Sequence, residues 1–294
     1  MSTIKNKVLI TGATGNTGGY AIKYLLKQQV PVRALVHKID KRSDALAAMG
    51  VEIVVGDLLD LESVSSALKN ISNAFFVYPV KYPGIIEATA YFAQAALENG
   101  VGHIVNLSQF GAHRHVKSHG AENHWIAERV FERSGVPVTQ LRPTLFAEWF
   151  LYQASNIKSK SEFYLPFGDA RFAPIATEDI GRVIASILSD PKPHAGKSYD
   201  LFGPKILGMT EVAEIFSEAL GRKITYVPID SETFAGIVKT AMNADPYLIQ
   251  HLSSLGQDLK DGRTAGMNDL VETLTGQQPM DMLEFINRNR MAFA

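Results

Sequence analysis

The chain has 294 residues, 46% of them apolar and 20% charged, with a formal net charge of −1 and no cysteine. This composition gives a globule with core enough for one large or two modest domains. It excludes disulfides, thiolate metal sites and a catalytic thiol, and it offers no basic stripe for nucleic acid or a membrane surface, so a small-molecule partner is expected.

Residues 1–7 contain no signal-type apolar region, and no run reaches bilayer length, so a cytoplasmic location is expected. The chain is organised around Val8-Leu9-Ile10-Thr11-Gly12-Ala13-Thr14-Gly15-Asn16-Thr17-Gly18-Gly19, which breaks an apolar run with glycines and restarts as Tyr20 to Leu26. It predicts strand, tight turn and helix, the unit in which a pyrophosphate meets the free N–H groups of a helix N-terminus. Gly12, Thr14, Gly15, Asn16, Thr17 and Gly18 are the candidate phosphate residues. The alternative is a structural turn without ligand.

Further along, short apolar runs alternate with helical-period stretches, the pattern of βαβ units in a parallel sheet. Strands are expected at 31–36, 51–55, 74–77, 103–107 and 138–141, with helices at 42–49, 61–68, 84–99 and 125–134 between them. The expected class is therefore α/β, a doubly wound parallel Rossmann sheet over residues 1–142. Residues 143–294 form a smaller, interwoven substrate lobe of α+β type, with helices at 177–188, 210–220, from Pro228-Ile229-Asp230-Ser231 onward, and at 280–286.

The end of the second strand decides between cofactors. An NAD site usually places a carboxylate there for the ribose diol and an NADP site a cation for the 2′-phosphate. His37 occupies the acidic position, Lys38 and Arg42 follow, and Asp40 arrives late, so NADP(H) is the expected cofactor. The alternative is a solvated basic turn. Asp57 and Leu58, at the third strand end, are placed near the adenine or else simply close a turn.

These residues carry a resemblance. Thr11-Gly12-Ala13-Thr14-Gly15-x-x-Gly18, Gly56-Asp57, Leu107-Ser108-x-x-Gly111, Leu141-Arg142-Pro143 and Leu274-Thr275-Gly276-Gln277-Gln278-Pro279 resemble the NmrA-like family of atypical short-chain dehydrogenases nearly end to end. The resemblance implies the fold and the dinucleotide. It implies chemistry less narrowly, since the family includes NADP-dependent quinone oxidoreductases, triphenylmethane reductases, and co-regulators or redox sensors that bind the dinucleotide without turning it over.

The Tyr-x-x-x-Lys pair of short-chain dehydrogenases has no counterpart. In its place stands His124-Trp125-Ile126-Ala127-Glu128, which resembles the quinone and triphenylmethane reductase branch and puts both polar groups on one helix face. His124 is the candidate proton donor, and Ser108 a second catalytic candidate with a hydroxyl at the fifth strand end. The alternatives are a packing or capping histidine and a turn serine. Tyr78, Pro79, Val80 and Pro143 are placed at the nicotinamide end, with Tyr82, Phe110, Phe146, Trp149 and Phe150 as walls for a flat conjugated acceptor, or in part as core aromatics.

His113, His115, His119 and His124 share one stretch, but Arg114 and Lys117 would repel a dication, so no metal is expected and the stretch is read as a loop closing over the substrate. The expected activity is hydride transfer from NADPH to a quinone-like acceptor. The alternative is a non-catalytic NADP(H) sensor acting through a protein partner, and a homodimer stays open.

Overall fold

The structure, a computed structural model, describes residues 7–241, 243–263 and 265–294. Residues 1–6, on which the reading of the N-terminus rests, lie outside the described residues. The first half alternates strictly: β1 (Val8–Ile10), α1 (Asn16–Lys27), β2 (Val32–Val36), α2 (Lys41–Ala48), β3 (Glu52–Val55), α3 (Leu61–Leu68), β4 (Asn73–Phe76), α4 (Ile85–Glu98), β5 (His103–Leu107), α5 (His119–Glu132) and β6 (Val138–Pro143). The second half holds α6 (Ala154–Lys160), β7 (Glu162–Leu165), β8 (Arg171–Phe172), α7 (Thr177–Ser189), β9 (Ser198–Leu201), β10 (Leu207–Gly208) and α8 (Met209–Leu220). It closes with β11 (Thr225–Pro228), α9 (Ser231–Ala241), α10 (Pro246–Lys260), α11 (Leu270–Thr275), α12 (Met282–Arg288) and α13 (Arg290–Phe293).

The main sheet is parallel throughout, in the order β3-β2-β1-β4-β5-β6-β9. Val8, Leu9 and Ile10 are buried on both faces, as a central parallel strand requires. Helices α1, α2, α7 and α11 cover one face, and α3, α4 and α5 the other, where Phe76, Phe92 and Phe131 form an aromatic cluster. Order reverses between β1 and β4, so a crevice opens above the C-terminal ends of these strands, the place where doubly wound sheets bind ligands.

The expected sheet stopped at residue 141, whereas the seventh strand is β9, drawn from the second half. Ser-Tyr-Asp-Leu sits on an edge, half-wetted, and so lacks the apolar run that marked the other strands. Helix α7 likewise returns to the first half and lies against α1. Gly181 permits that crossing, since a Cβ there would stand 2.5 Å from Tyr20 Cβ and 2.9 Å from the Ala21 nitrogen.

The remaining elements build a second core from Phe150, Phe163, Phe216, Phe285 and Phe293, beside small two-stranded sheets. Polar contacts hold the C-terminal segment onto α7. Asp179 pairs with Arg182 and accepts from the Met280 N–H at 2.8 Å, while Arg182 donates to Gln277 and to the Gln278 carbonyl. The Thr-Gly-Gln-Gln-Pro segment is thus a strap that ties the C-terminal helices to α7.

Candidate functional site

The glycine turn fits a pyrophosphate. Gly12 takes φ +57°, a left-handed conformation that favours glycine, and its carbonyl accepts from the Gly15 N–H at 2.9 Å. Gly18 is sealed against that turn, because a Cβ would fall 2.5 Å from the Gly12 oxygen. Gly15 caps α1 with no side-chain hydrogen bond, and the first turn of the helix carries no acidic residue. The free N–H groups and the positive end of the helix dipole therefore stay open to an anion over exposed Gly15 and Asn16. Thr14 is half-buried, and Thr17 is buried beside Gly18.

At the end of β2, His37, Lys38 and Arg42 are all exposed. Arg42 is engaged, because Asp40, the N-cap of α2, accepts its guanidinium at 2.7 Å and its N–H at 2.9 Å. That side-chain bond holds the Asp40 carboxyl down at about 2. Asp40, which the sequence placed too late to matter, is therefore the residue that restrains Arg42. Asp57 stands across from His37 at 4.0 Å and also accepts from the Leu59 N–H, with Leu58 half-buried beside it.

The turn runs directly into a cavity. A Cβ on Gly12 would meet Val77 Cγ1 at 2.5 Å, and Thr11 Oγ1 exchanges hydrogen bonds with Val77 at 2.8 and 3.1 Å. Val77 is the first of the residues around a cavity of about 250 Å³, with Tyr78, Pro79 and Val80 after β4, Ser108 to Gly111 after β5, Pro143 at the end of β6, and Thr144, Leu145, Phe146 and Trp149 after it. Main-chain bonds fix these loops: Ser108 N–H to Leu141 O at 2.7 Å, Phe110 N–H to Pro143 O at 3.0 Å, and Thr144 N–H to Leu201 O at 2.9 Å. None of the lining residues described is Asp, Glu, Lys or Arg.

Within this apolar wall a few polar groups lack partners. Ser108 Oγ, Thr144 Oγ1, Gln109 Nε2 and His124 Nδ1 are buried with no hydrogen bond among the described residues. Orphaned polar atoms around a cavity are costly unless a ligand satisfies them. Burial, with a smaller contribution from nearby His251, pushes the His124 imidazole down to about 3. The ring is neutral at physiological pH. A neutral imidazole carries one N–H and one acceptor nitrogen, so His124, the candidate proton donor, meets the cavity uncharged.

The other half of the His-x-x-x-Glu pair serves the scaffold. Glu128 is fully buried, and Arg142 of β6 holds both its oxygens, at 2.8 Å from Nε and 2.5 Å from Nη2. One turn separates this anchor from His124, so the ion pair sets where His124 enters the cavity.

Two of the expected acceptor walls fall elsewhere. Phe150 is fully buried in the second core, edge-on to Phe163 and Phe216, because the 3₁₀ turn after Phe146 rotates it away from the cavity that Trp149 faces. Tyr82 is exposed under Lys81 and is not part of the lining. Phe110, Phe146 and Trp149 do line it. In the histidine-rich stretch, α5 begins at His119, capped by Ser118, several residues before the expected start, and His113, His115 and His119 are exposed. Gln250 of α10 pins the preceding loop, donating to Lys117 O at 2.7 Å and accepting from His119 N–H at 3.0 Å.

Sequence reasoning missed His251 and Leu255, which line the cavity from α10. A signal was present: Asp245-Pro246 is a helix start, with Leu248, Leu252, Leu255 and Leu259 at helical spacing behind it.

A parallel sheet with a glycine turn under a helix N-terminus and a cavity at the reversal of strand order defines a Rossmann-type dinucleotide-binding protein. The model of the NmrA-like family matches residues 4–285, and the chain belongs to that family. It is 30% identical to an NAD(P)H azoreductase of Xenophilus azovorans over 97% of this chain and 99% of that protein. An NADPH-dependent quinone oxidoreductase from Escherichia coli is similar in structure, with TM-score 0.83 at 25% identity over 96% of this chain and 99% of the other. A Citrobacter triphenylmethane reductase shares the fold, with TM-score 0.84 at 24% identity over 96% and 99% of the two chains.

Proposed function

We propose that this chain is an NADP(H)-dependent oxidoreductase that reduces an uncharged, conjugated acceptor of the quinone or dye type. The observation that carries this reading is the cavity: lined by aromatic side chains and by no Asp, Glu, Lys or Arg among the described residues, it abuts the glycine turn and contains orphaned polar groups. Dye and quinone reductases among the relatives support it.

The bound cofactor supplies the hydride, and the protein supplies placement and exclusion of water. Gly12, Thr14, Gly15, Asn16, Thr17 and Gly18 hold the pyrophosphate; Lys38 and Arg42 with His37 face the 2′-phosphate; Asp57 and Leu58 flank the adenine. Tyr78, Pro79, Val80 and Pro143 flank the nicotinamide end. Phe110, Phe146 and Trp149 sandwich the acceptor ring, which favours offset and edge-on aromatic contacts. Reduction of a quinone leaves negative charge on its oxygen, and the neutral His124 N–H and the Ser108 hydroxyl stabilise that charge by hydrogen bonding. The proton that completes the hydroquinone comes from water.

The test is NADPH oxidation against a panel of quinones, azo and triphenylmethane dyes, and simple carbonyls. Turnover with quinones and uncharged azo dyes is expected, and less with cationic triphenylmethane dyes. Tight NADPH binding with no turnover on any of them would replace this reading with that of a cofactor sensor.

A further inference from the structure

His251 reaches the cavity from α10, across the boundary between the sheet and the second core. Gly120 makes room for it, since a Cβ at Gly120 would stand 2.7 Å from His251 Nδ1 and 2.9 Å from its Cγ. The residue is 4% exposed, and its Nδ1 lies 2.7 Å from Ser118 Oγ. That oxygen already accepts the Ala121 N–H at 3.1 Å as the cap of α5. A buried hydroxyl hydrogen needs an acceptor, and the only one bonded to Ser118 Oγ among the described residues is His251 Nδ1. The hydroxyl therefore donates to Nδ1, which places the ring proton on Nε2.

Three features then coincide. Nδ1 is taken, so Nε2–H is the group left to meet a ligand. The walls around it are mainly apolar and carry no charge. Burial pushes the ring down to about 4, so it stays neutral and attracts no anion in particular.

We propose that His251 is a recognition residue of the acceptor cavity: its Nε2–H, held in that tautomer by Ser118, binds an oxygen or nitrogen of an uncharged flat acceptor. It is a second polar contact, made from α10 while His124 contributes from α5. The proposal rests on the acceptor-cavity reading above, but not on turnover.

The test uses protein loaded with NADP⁺, which cannot reduce anything, and follows tryptophan fluorescence during titration with menadione or with methylnaphthalene, a hydrocarbon of the same outline. His251→Phe should weaken menadione about tenfold, the size of one hydrogen bond, and leave methylnaphthalene unchanged. His251→Gln, which keeps a donor near the Nε2 position, should restore most of the menadione affinity. Nitrogen NMR of the unmodified protein should show His251 protonated on Nε2.

Equal losses for both probes, no loss for either, no menadione binding by the unmodified protein, or a proton on Nδ1 would each overturn the proposal. Because the oxidised cofactor blocks turnover, the two readings fail separately. A protein that discriminates the probes yet never oxidises NADPH keeps the role of His251 and loses the oxidoreductase assignment.

Discussion

Replacing His124 distinguishes between two kinds of proton chemistry. The imidazole has been pushed from 6.5 to about 3, chiefly by burial, so at neutral pH it reaches the acceptor as an uncharged N–H donor. Such a donor in a water-poor cavity contributes about 1–2 kcal/mol to a developing oxyanion, which corresponds to roughly 5–30-fold in rate. His124→Phe should therefore lower kcat with menadione within that range and leave NADPH affinity unchanged, since the phosphate turn is untouched. His124→Gln should recover part of the loss. The pH profile of the unmodified protein should be flat from about pH 5 to 8, because a ring with a pKa of about 3 does not titrate there. Steady-state NADPH oxidation at saturating menadione measures both. A rate that falls with an apparent pKa near that of a free imidazole, together with a loss beyond about 10³-fold, would show an imidazolium acid and refute the neutral-donor argument.

Three further expectations follow from particular contacts. NADPH should bind more tightly than NADH, Arg42→Ala should shrink that preference, and Asp40→Asn should enlarge it several-fold by releasing Arg42 from its ion pair; equal calorimetric affinities for the two cofactors in the unmodified protein would end the NADP assignment. Gly15→Val should fold and lose cofactor binding, its nearest neighbour being the Gly12 oxygen at 3.2 Å, whereas Gly18→Ala should cost at least about 2 kcal/mol of stability in urea titrations because its Cβ has no room. Burial holds His103 near about 4, against an unfolded value of 6.5, so the unfolded chain takes up a proton first as pH falls. Its contribution is complete above pH 6.5 and declines toward pH 4 by about 3 kcal/mol. His103→Gln, which keeps a donor toward Thr139, should flatten the pH dependence of the urea midpoint in that window, and an unchanged slope would refute it.

The sequence by itself determined the sheet up to β6 and the phosphate turn, because both are local. Buried parallel strands must read as short apolar runs, and a turn that needs φ +57° and a helix packed on bare backbone must be written in glycine at Gly12 and Gly18. The sequence could also show that His124 and Glu128 share a helix face, since one turn of helix guarantees it. Only the tertiary structure separated their roles: Arg142, on the neighbouring strand β6, claims Glu128 and leaves His124 to the cavity. The same holds for the half-wetted edge strand β9 and for Phe150 turning into the second core while Trp149 faces the cavity. His251 is the plainest case. Its tautomer and its place in the cavity come from Ser118 and Gly120, more than a hundred residues earlier in the chain, and long-range packing of that kind leaves no periodic trace in a sequence.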